Sequence, residues 1–151
     1  MVAGGKLVHA TCVAAAGRGI LISGPSGSGK SDLALRFITS GDIERLCGAP
    51  PRLVGDDQIV LENVSGRVIA RPPTQLAGKL EVRGLGIVDF AHVAEADVAL
   101  LVELVSSNEV PRMPDNDICT DLLGVSLPLL RLNALEPSAH IKMALALVGA
   151  C

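Results

Sequence analysis

Aromatic residues are nearly absent from this sequence: its 151 residues include two Phe, no Tyr and no Trp. Proteins that bind single-stranded nucleic acid stack bases on aromatic side chains, so this composition argues against that class. Apolar residues still make up 49% of the chain, and the core must therefore be built from aliphatic side chains. Such a core is typical of buried parallel strands covered by helices.

Basic clusters, long apolar runs and paired cysteines are missing as well. The 13 basic and 16 acidic side chains are scattered and give a net charge of −3, which argues against a nucleic-acid or membrane surface. The most apolar stretch, residues 98–105, contains Glu103 and is far shorter than the roughly 20 residues of a membrane span. The four cysteines form no CxxC pair, which is typical of incidental thiols in a reducing compartment. We expect one domain over residues 1–151, soluble and cytoplasmic, without a signal peptide.

Glycines and prolines divide the chain into short elements. The apolar pattern predicts strands at 7–16, 19–23, 52–55, 98–104 and 125–132, and a hairpin of 58–62 with 68–70 around Ser65 and Gly66. Pro128 implies that the last strand lies at an edge or contains a bulge. The pattern predicts helices at 31–40 and, capped by Ser138, up to about residue 147. Pro50 and Pro51 predict an irregular segment between the first helix and the next strand.

The segment GPSGSGKS at residues 24–31 matches the P-loop pattern at every fixed position. Glycines in such a loop let backbone N–H groups surround phosphate oxygens, and the following helix adds a partial positive charge at its N-terminus. An ordinary glycine-rich turn has no need of a Lys followed by a Ser. We therefore expect a nucleotide triphosphate and Mg²⁺ to bind at Gly24, Pro25, Ser26, Gly27, Ser28, Gly29, Lys30 and Ser31, with Lys30 on the β and γ phosphates and Ser31 on the metal.

Acidic side chains with suitable chemistry follow two later strands. Asp56 and Asp57 end a predicted strand, where they could divide metal binding from proton transfer or simply form a solvated turn. Glu81 and Arg83 share one face if extended, and are as consistent with a surface ion pair as with a metal ligand and a phosphate contact. His9, taken alone, is more often a structural histidine.

In this order, the motifs resemble the catalytic domain of HPr kinase/phosphorylase, a family that phosphorylates a serine of the phosphocarrier protein HPr. The resemblance covers residues 7 to 148 and rests on His9, GPSGSGKSD, LVGDDQI, EVRGLGIVDF and LLGVSLP. The P-loop is generic, whereas EVRGLGI after a paired-aspartate strand is distinctive. The resemblance implies an α/β fold with a central mixed sheet flanked by helices, related to the PEP carboxykinase-like P-loop group.

The same resemblance implies roles for individual residues. His9 becomes an active-site residue, Lys30 the phosphate-binding lysine, and Ser31 and Glu81 the Mg²⁺ ligands.

The pair Asp56 and Asp57 supplies the acid/base that deprotonates the HPr serine, with family usage favouring Asp57. Arg83 falls in the signature that serves transfer, and Arg112 aligns with a further active-site arginine. ATP is the implied phosphoryl donor, HPr or a similar carrier the implied partner, and a hexamer the implied assembly.

The chain also departs from the family pattern. Asp32 replaces the usual Glu after GKS, and a short insertion precedes the aspartate pair. Because the chain begins almost at His9, we expect a short form that lacks the family's N-terminal domain. The arginine-rich loop associated with dephosphorylation has no counterpart, because residues 134–140 read ALEPSAH. We therefore expect a kinase with weak or absent phosphorylase activity. A P-loop kinase of small molecules and a nucleotide-gated regulator are the alternatives.

Overall fold

The computed structural model describes residues 5–113 and 118–150. Its strands are β1 (Lys6–Val8), β2 (Thr11–Ala15), β3 (Arg18–Ser23), β4 (Pro51–Gly55), β5 (Ile59–Val64), β6 (Arg67–Arg71), β7 (Lys79–Val82), β8 (Gly86–Asp89), β9 (Ala96–Leu104), β10 (Cys119–Leu122) and β11 (Val125–Leu132). Its α-helices are α1 (Lys30–Thr39), α2 (Gly41–Cys47) and α3 (Ala139–Gly149). None of these helices is long and apolar enough to cross a membrane.

Strands β3 and β9 form the parallel centre of a mixed sheet. They pair along the whole of β3, and the pairs in the middle of the strand are apolar, as in Leu21 with Leu101 and Ile22 with Val102. The sheet runs in the order β1-β5-β6-β9-β3-β2-β4, and β11 pairs in parallel with the second half of β9. Strands β7 and β8 form a separate hairpin. The predicted α/β fold with a central mixed sheet is confirmed, although most neighbouring strands are antiparallel.

The direction of β2 positions the candidate site. Strand β2 lies between β3 and β4 and runs antiparallel to both, so the first residue of β2 lies at the edge where β3 and β4 end. A bulge between Cys12 and Val13 aligns Cys12 with Gly55, the last residue of β4. Residues near Thr11, the P-loop and the aspartate pair therefore meet at one edge of the sheet.

The helices cover one face of this sheet. Residues Leu33, Ala34 and Phe37 of α1 are fully buried and share a core cluster with Ile43 of α2 and Met143 of α3. The opposite face carries a second aliphatic cluster, which is formed by strand residues together with Ala10. An almost purely aliphatic core, as the composition predicts, thus fills both sides of the central strands.

Several predicted boundaries need correction. The single strand predicted at 7–16 is wrong, because the chain breaks into β1 and β2 at His9 and Ala10. Helix α2 was not predicted. Ser40 caps it by accepting a hydrogen bond from the Asp42 N–H, and the helix begins at Gly41. Pro51 belongs to β4, which tolerates it because an edge strand has no ladder partner on one side.

The end of the chain follows the predictions more closely. Pro128 lies where β11 changes partner from β10 to β9, consistent with an irregular position. Ser138 occupies the N-cap of α3, but its side chain makes no capping hydrogen bond.

The thiols in the described residues are all free. Cys12 is fully buried, and burial raises the pKa of its thiol to about 12, so it stays protonated and unreactive. Burial also raises the pKa of Cys47. These two thiols fit the prediction of incidental cysteines, and Cys151 lies outside the described residues.

We predict that Phe37→Ala lowers the free energy of unfolding by about 3–5 kcal/mol, because it empties the centre of the helix-side core. Leu145→Ala on α3 is the control: its side chain is 55% exposed, and we expect a change within about 0.5 kcal/mol. Urea unfolding followed by circular dichroism measures both. Equal losses for the two variants would contradict the packing described for Phe37.

Candidate active site

The P-loop has the backbone shape that its glycines allow. Gly27 and Gly29 adopt positive φ angles of 79° and 98°, which side chains other than glycine rarely adopt. Gly29 also occupies the N-cap of α1, where no side chain makes a capping hydrogen bond. The first N–H groups of α1 are therefore available to an anion, and the helix dipole favours negative charge there.

Lys30 is folded back onto this loop. Its Nζ donates hydrogen bonds to the carbonyl oxygens of Gly24, at 2.9 Å, and of Pro25, at 3.1 Å. These bonds hold a positive charge against the backbone turn that precedes it. The loop thus combines backbone donors with one ammonium group, which is the chemistry needed to hold a polyphosphate.

Asp56 connects three separate segments of the site. Its Oδ1 accepts hydrogen bonds from Ser31 Oγ, at 2.7 Å, and from Thr11 Oγ1, at 2.9 Å. Its Oδ2 accepts a longer bond of 3.4 Å from the backbone N–H of Glu81. The carboxylate at the end of β4 therefore lies directly beside the hydroxyl that ends the P-loop motif.

Asp57 is held differently from its neighbour. The φ angle of Asp57 is 68°, which lies in the left-handed region, and Asp57 is exposed to solvent. Its backbone N–H donates a long bond of 3.5 Å to Thr11 Oγ1, while its carboxylate accepts no hydrogen bond from the described part of the chain. The two adjacent acids thus have different environments, one tied to the P-loop and the other open to solvent.

The remaining predicted residues lie at the rim of this site or beyond it. Glu81 belongs to β7 and its backbone contacts Asp56, whereas Arg83 is exposed at the turn of the β7–β8 hairpin. His9 is exposed in the break between β1 and β2, two residues before β2 begins. Arg112 is exposed and lines a groove of about 1230 Å³ over β9 and β11, and no P-loop residue or Asp56 lines that groove. The structure brings together Ser31, Asp56 and Glu81.

The segment after β11 packs against the P-loop. Arg36 of α1 donates hydrogen bonds to the carbonyl oxygens of Ala134 and Glu136, the latter at 3.0 Å. Asp32 lies 3.2 Å from Arg36 Nε as an ion pair, without hydrogen-bond geometry. A Cβ built on Gly29 would lie only 2.9 Å from the Cβ of Ala134. The segment 134–140 therefore begins at the base of the P-loop.

Sequence reasoning missed Thr11 and Arg36. Thr11 is the first residue of a strand whose other members are all apolar, and a lone hydroxyl at the end of such a run is the signal that could have found it. Arg36 resembles an ordinary helix-surface residue, since its i, i+4 spacing from Asp32 predicts only an ion pair. Its bonds to residues 134 and 136 depend on tertiary packing.

The donors at this edge fit Mg²⁺ bound together with a nucleotide. Within residues 5–113 and 118–150, no group of three or more His, Cys, Asp or Glu side chains could hold a metal by itself. Mg²⁺ is instead commonly held by one or two carboxylates together with substrate phosphates and water. The Ser31 hydroxyl beside the Asp56 carboxylate, next to an anion-binding loop, is a donor set of that kind.

Comparison with known proteins shows the family to which the chain belongs. Residues 1–145 match the family model described as the HPr Serine kinase C-terminal domain. The chain belongs to this family. Among its relatives, the HPr kinase/phosphorylase of Clostridium beijerinckii is 32% identical over 146 residues, which cover 90% of this chain and 45% of that protein. The corresponding Bordetella petrii protein is 35% identical over 129 residues, covering 78% of this chain and 39% of that protein.

A solved structure shares the fold of this HPr kinase C-terminal domain. The Hpr(Ser) kinase/phosphatase from Coxiella burnetii superposes with a TM-score of 0.74 and 27% sequence identity, covering 95% of this chain and 94% of that one. The chain spans less than half the length of the curated relatives described above. The predicted family resemblance is confirmed.

We predict that Gly29→Ala costs more stability than Gly17→Ala. Both positions have positive φ, which costs an alanine about 1–2 kcal/mol, but only Gly29 also meets Ala134; nothing lies within 4 Å of a Cβ at Gly17. Ala134→Gly should recover the difference when combined with Gly29→Ala. Urea unfolding of the single and double variants measures this coupling. Simple additivity of the two substitutions would contradict the contact.

Proposed function

We propose that this domain is an ATP-dependent protein kinase that phosphorylates a serine of HPr or of an HPr-like phosphocarrier. The observation that carries the proposal is the pair of hydrogen bonds that ties Asp56 to Ser31 and Thr11 while Asp57 remains exposed. Phosphoryl transfer to a hydroxyl needs a metal-side carboxylate and a separate proton acceptor. Two adjacent acids in different environments meet both needs.

The chain's residues divide the reaction as follows. Backbone N–H groups of the loop residues that follow Pro25, together with the Lys30 ammonium, bind the β and γ phosphates of ATP and neutralise their charge. Ser31 and Asp56, with Glu81 nearby, hold Mg²⁺. When bound, Mg²⁺ supplies charge neutralisation at the phosphates and fixes their orientation.

Asp57 acts as the general base in this proposal. Its carboxylate accepts the proton of the HPr serine as the serine oxygen bonds to the γ-phosphorus, and the bond from that phosphorus to the β-γ bridging oxygen breaks to release ADP. A base must be reachable by a protein substrate, and the exposed Asp57 is, whereas Asp56 is already occupied by hydroxyl donors. Positioning and charge neutralisation, more than covalent chemistry, lower the barrier.

Three peripheral residues complete the proposed site. Arg83, at the tip of the β7–β8 hairpin, and His9, just before β2, lie next to elements that contact Asp56. Arg112 lines the groove over β9 and β11, so its participation requires that the substrate or the chain bring it closer. A hexameric assembly, which the resemblance implies, and a cytoplasmic location, which the sequence composition predicts, belong to the same proposal.

We further propose that the reverse, phosphorylase reaction is weak. The segment 133–140, which lies against the P-loop, contains no Arg or Lys to hold free phosphate or phosphoserine. His140 does not replace them, because burial and then the nearby Arg36 guanidinium lower its pKa and keep it neutral near pH 7. Arg36 itself is bound to two backbone carbonyls of this segment.

The kinase assignment predicts that label from γ-labelled ATP passes to HPr as acid-stable phosphoserine when Mg²⁺ is present. Asp57→Asn should lower kcat by at least about 100-fold, because it removes the base, while ADP affinity is kept. Asp56→Asn should instead weaken the Mg²⁺-dependent part of nucleotide binding. Asp42→Asn, which removes an exposed carboxylate on α2, is the matched control and should retain activity.

Two outcomes would contradict this assignment. Full transfer by Asp57→Asn would exclude Asp57 as the base. Label that appears on a small metabolite and never on HPr would favour a small-molecule kinase of the same fold.

The phosphorylase proposal predicts little pyrophosphate when phosphoserine-HPr is incubated with the protein and inorganic phosphate. In that reaction a phosphate oxygen attacks the phosphoserine phosphorus, and the serine oxygen leaves with a proton. A coupled pyrophosphate assay measures the rate beside forward transfer by the same preparation. Pyrophosphate release as fast as forward transfer would overturn the proposal.

A further inference from the structure

Thr11 is the one fully buried polar side chain among the residues that the structure describes. It begins β2, and the four residues that follow it in the strand are apolar and buried. Burying a hydroxyl without a hydrogen-bond partner is costly, so a threonine in this setting needs partners for its oxygen. The partners it finds are both in the candidate active site.

The Thr11 hydroxyl is connected to each of the two aspartates. It donates to Asp56 Oδ1 at 2.9 Å, and it accepts from the backbone N–H of Asp57 at 3.5 Å. A hydroxyl has one hydrogen to donate. Thr11 therefore donates its single hydroxyl hydrogen to Asp56, to the same oxygen that accepts a hydrogen bond from Ser31.

These bonds restrain the two acids in different ways. Without the Thr11 hydroxyl, Asp56 would keep only the Ser31 hydroxyl and the 3.4 Å bond from the Glu81 N–H. The left-handed turn at Asp57, unfavourable for a residue other than glycine, would lose the bond on its N–H. The buried strand β2 provides a rigid support for both restraints.

We propose that Thr11 is a positioning residue that holds Asp56 toward Ser31 and fixes the turn that exposes Asp57. The inference rests on the proposed function, because it assigns Asp56 to the metal and Asp57 to the proton. The inference goes beyond the proposed function because it names the Thr11 hydroxyl as the group that keeps metal binding on Asp56 and proton transfer on Asp57. Thr11 acts only through the aspartates and contacts no P-loop residue in the hydrogen bonds of the structure.

Two comparisons test this role, and in each of them the side chains differ only in the hydroxyl. In the first, the wild-type Thr11 is compared with Thr11→Val, which replaces the hydroxyl by a methyl group of similar size. In the second, Thr11→Ser, which keeps the hydroxyl, is compared with Thr11→Ala, which lacks it; this comparison serves if the valine variant does not fold. Thermal unfolding followed by circular dichroism confirms that each variant is folded.

The main measurement is the gain in ADP affinity that Mg²⁺ provides, obtained by calorimetric titration of ADP with MgCl₂ and with EDTA. We expect the gain in ADP affinity from Mg²⁺ to be about tenfold smaller in Thr11→Val and Thr11→Ala than in the wild type, which corresponds to the loss of one hydrogen bond to a charged group. Their affinity for metal-free ADP should be unchanged, since the P-loop is intact. Thr11→Ser should match the wild type. A merely structural role would weaken both affinities together.

Transfer to HPr gives the second measurement. The variants without the hydroxyl should show a lower kcat with an unchanged KM for HPr, and Thr11→Ser should restore kcat. The positioning role would be overturned if Thr11→Val gained as much ADP affinity from Mg²⁺ as the wild type does. It would also be overturned if kcat were as low in Thr11→Ser as in Thr11→Ala. If the wild-type chain never labelled HPr, the kinase proposal would fail, while the calorimetric comparison would still test Thr11.

Discussion

The hydrogen bond between the Ser31 hydroxyl and the Asp56 carboxylate joins the P-loop to the end of β4. Each group belongs to a different strand-loop unit, and the two meet only because β2 runs antiparallel between β3 and β4. The bond places two oxygen donors side by side at the start of α1, where the helix dipole and free N–H groups favour anions. The proposed metal and phosphate binding both depend on this meeting point.

Backbone handedness separates the chemistry of the two adjacent acids. Neighbouring residues in an extended strand point to opposite sides, but Asp57 leaves the strand altogether through its left-handed turn. Asp56 is consequently surrounded by donors from three segments, whereas Asp57 is exposed. A small change of backbone direction thus gives one dipeptide two environments.

The opposite side of the P-loop is covered by the segment that follows β11. Ala134 packs so closely on Gly29 that no side chain fits there, and Arg36 binds the backbone of the same segment. Arg36 also pairs with Asp32, 3.2 Å from its Nε, which partly balances its charge. The segment therefore supports the loop mechanically, and the neutral state of His140 adds no charge to it.

The sequence alone determined the P-loop, the central strands and the family, because these depend on local glycine chemistry and on short apolar runs such as residues 19–23 and 98–104. It could not determine helix α2 or the break at His9, where capping and pairing partners decide the boundary. The hydrogen bonds of Thr11 and Arg36 were decided only by tertiary structure. Their partners lie 45 to 100 residues away in the sequence. The identity of a side chain does not indicate which distant atoms the folded sheet brings within hydrogen-bonding range.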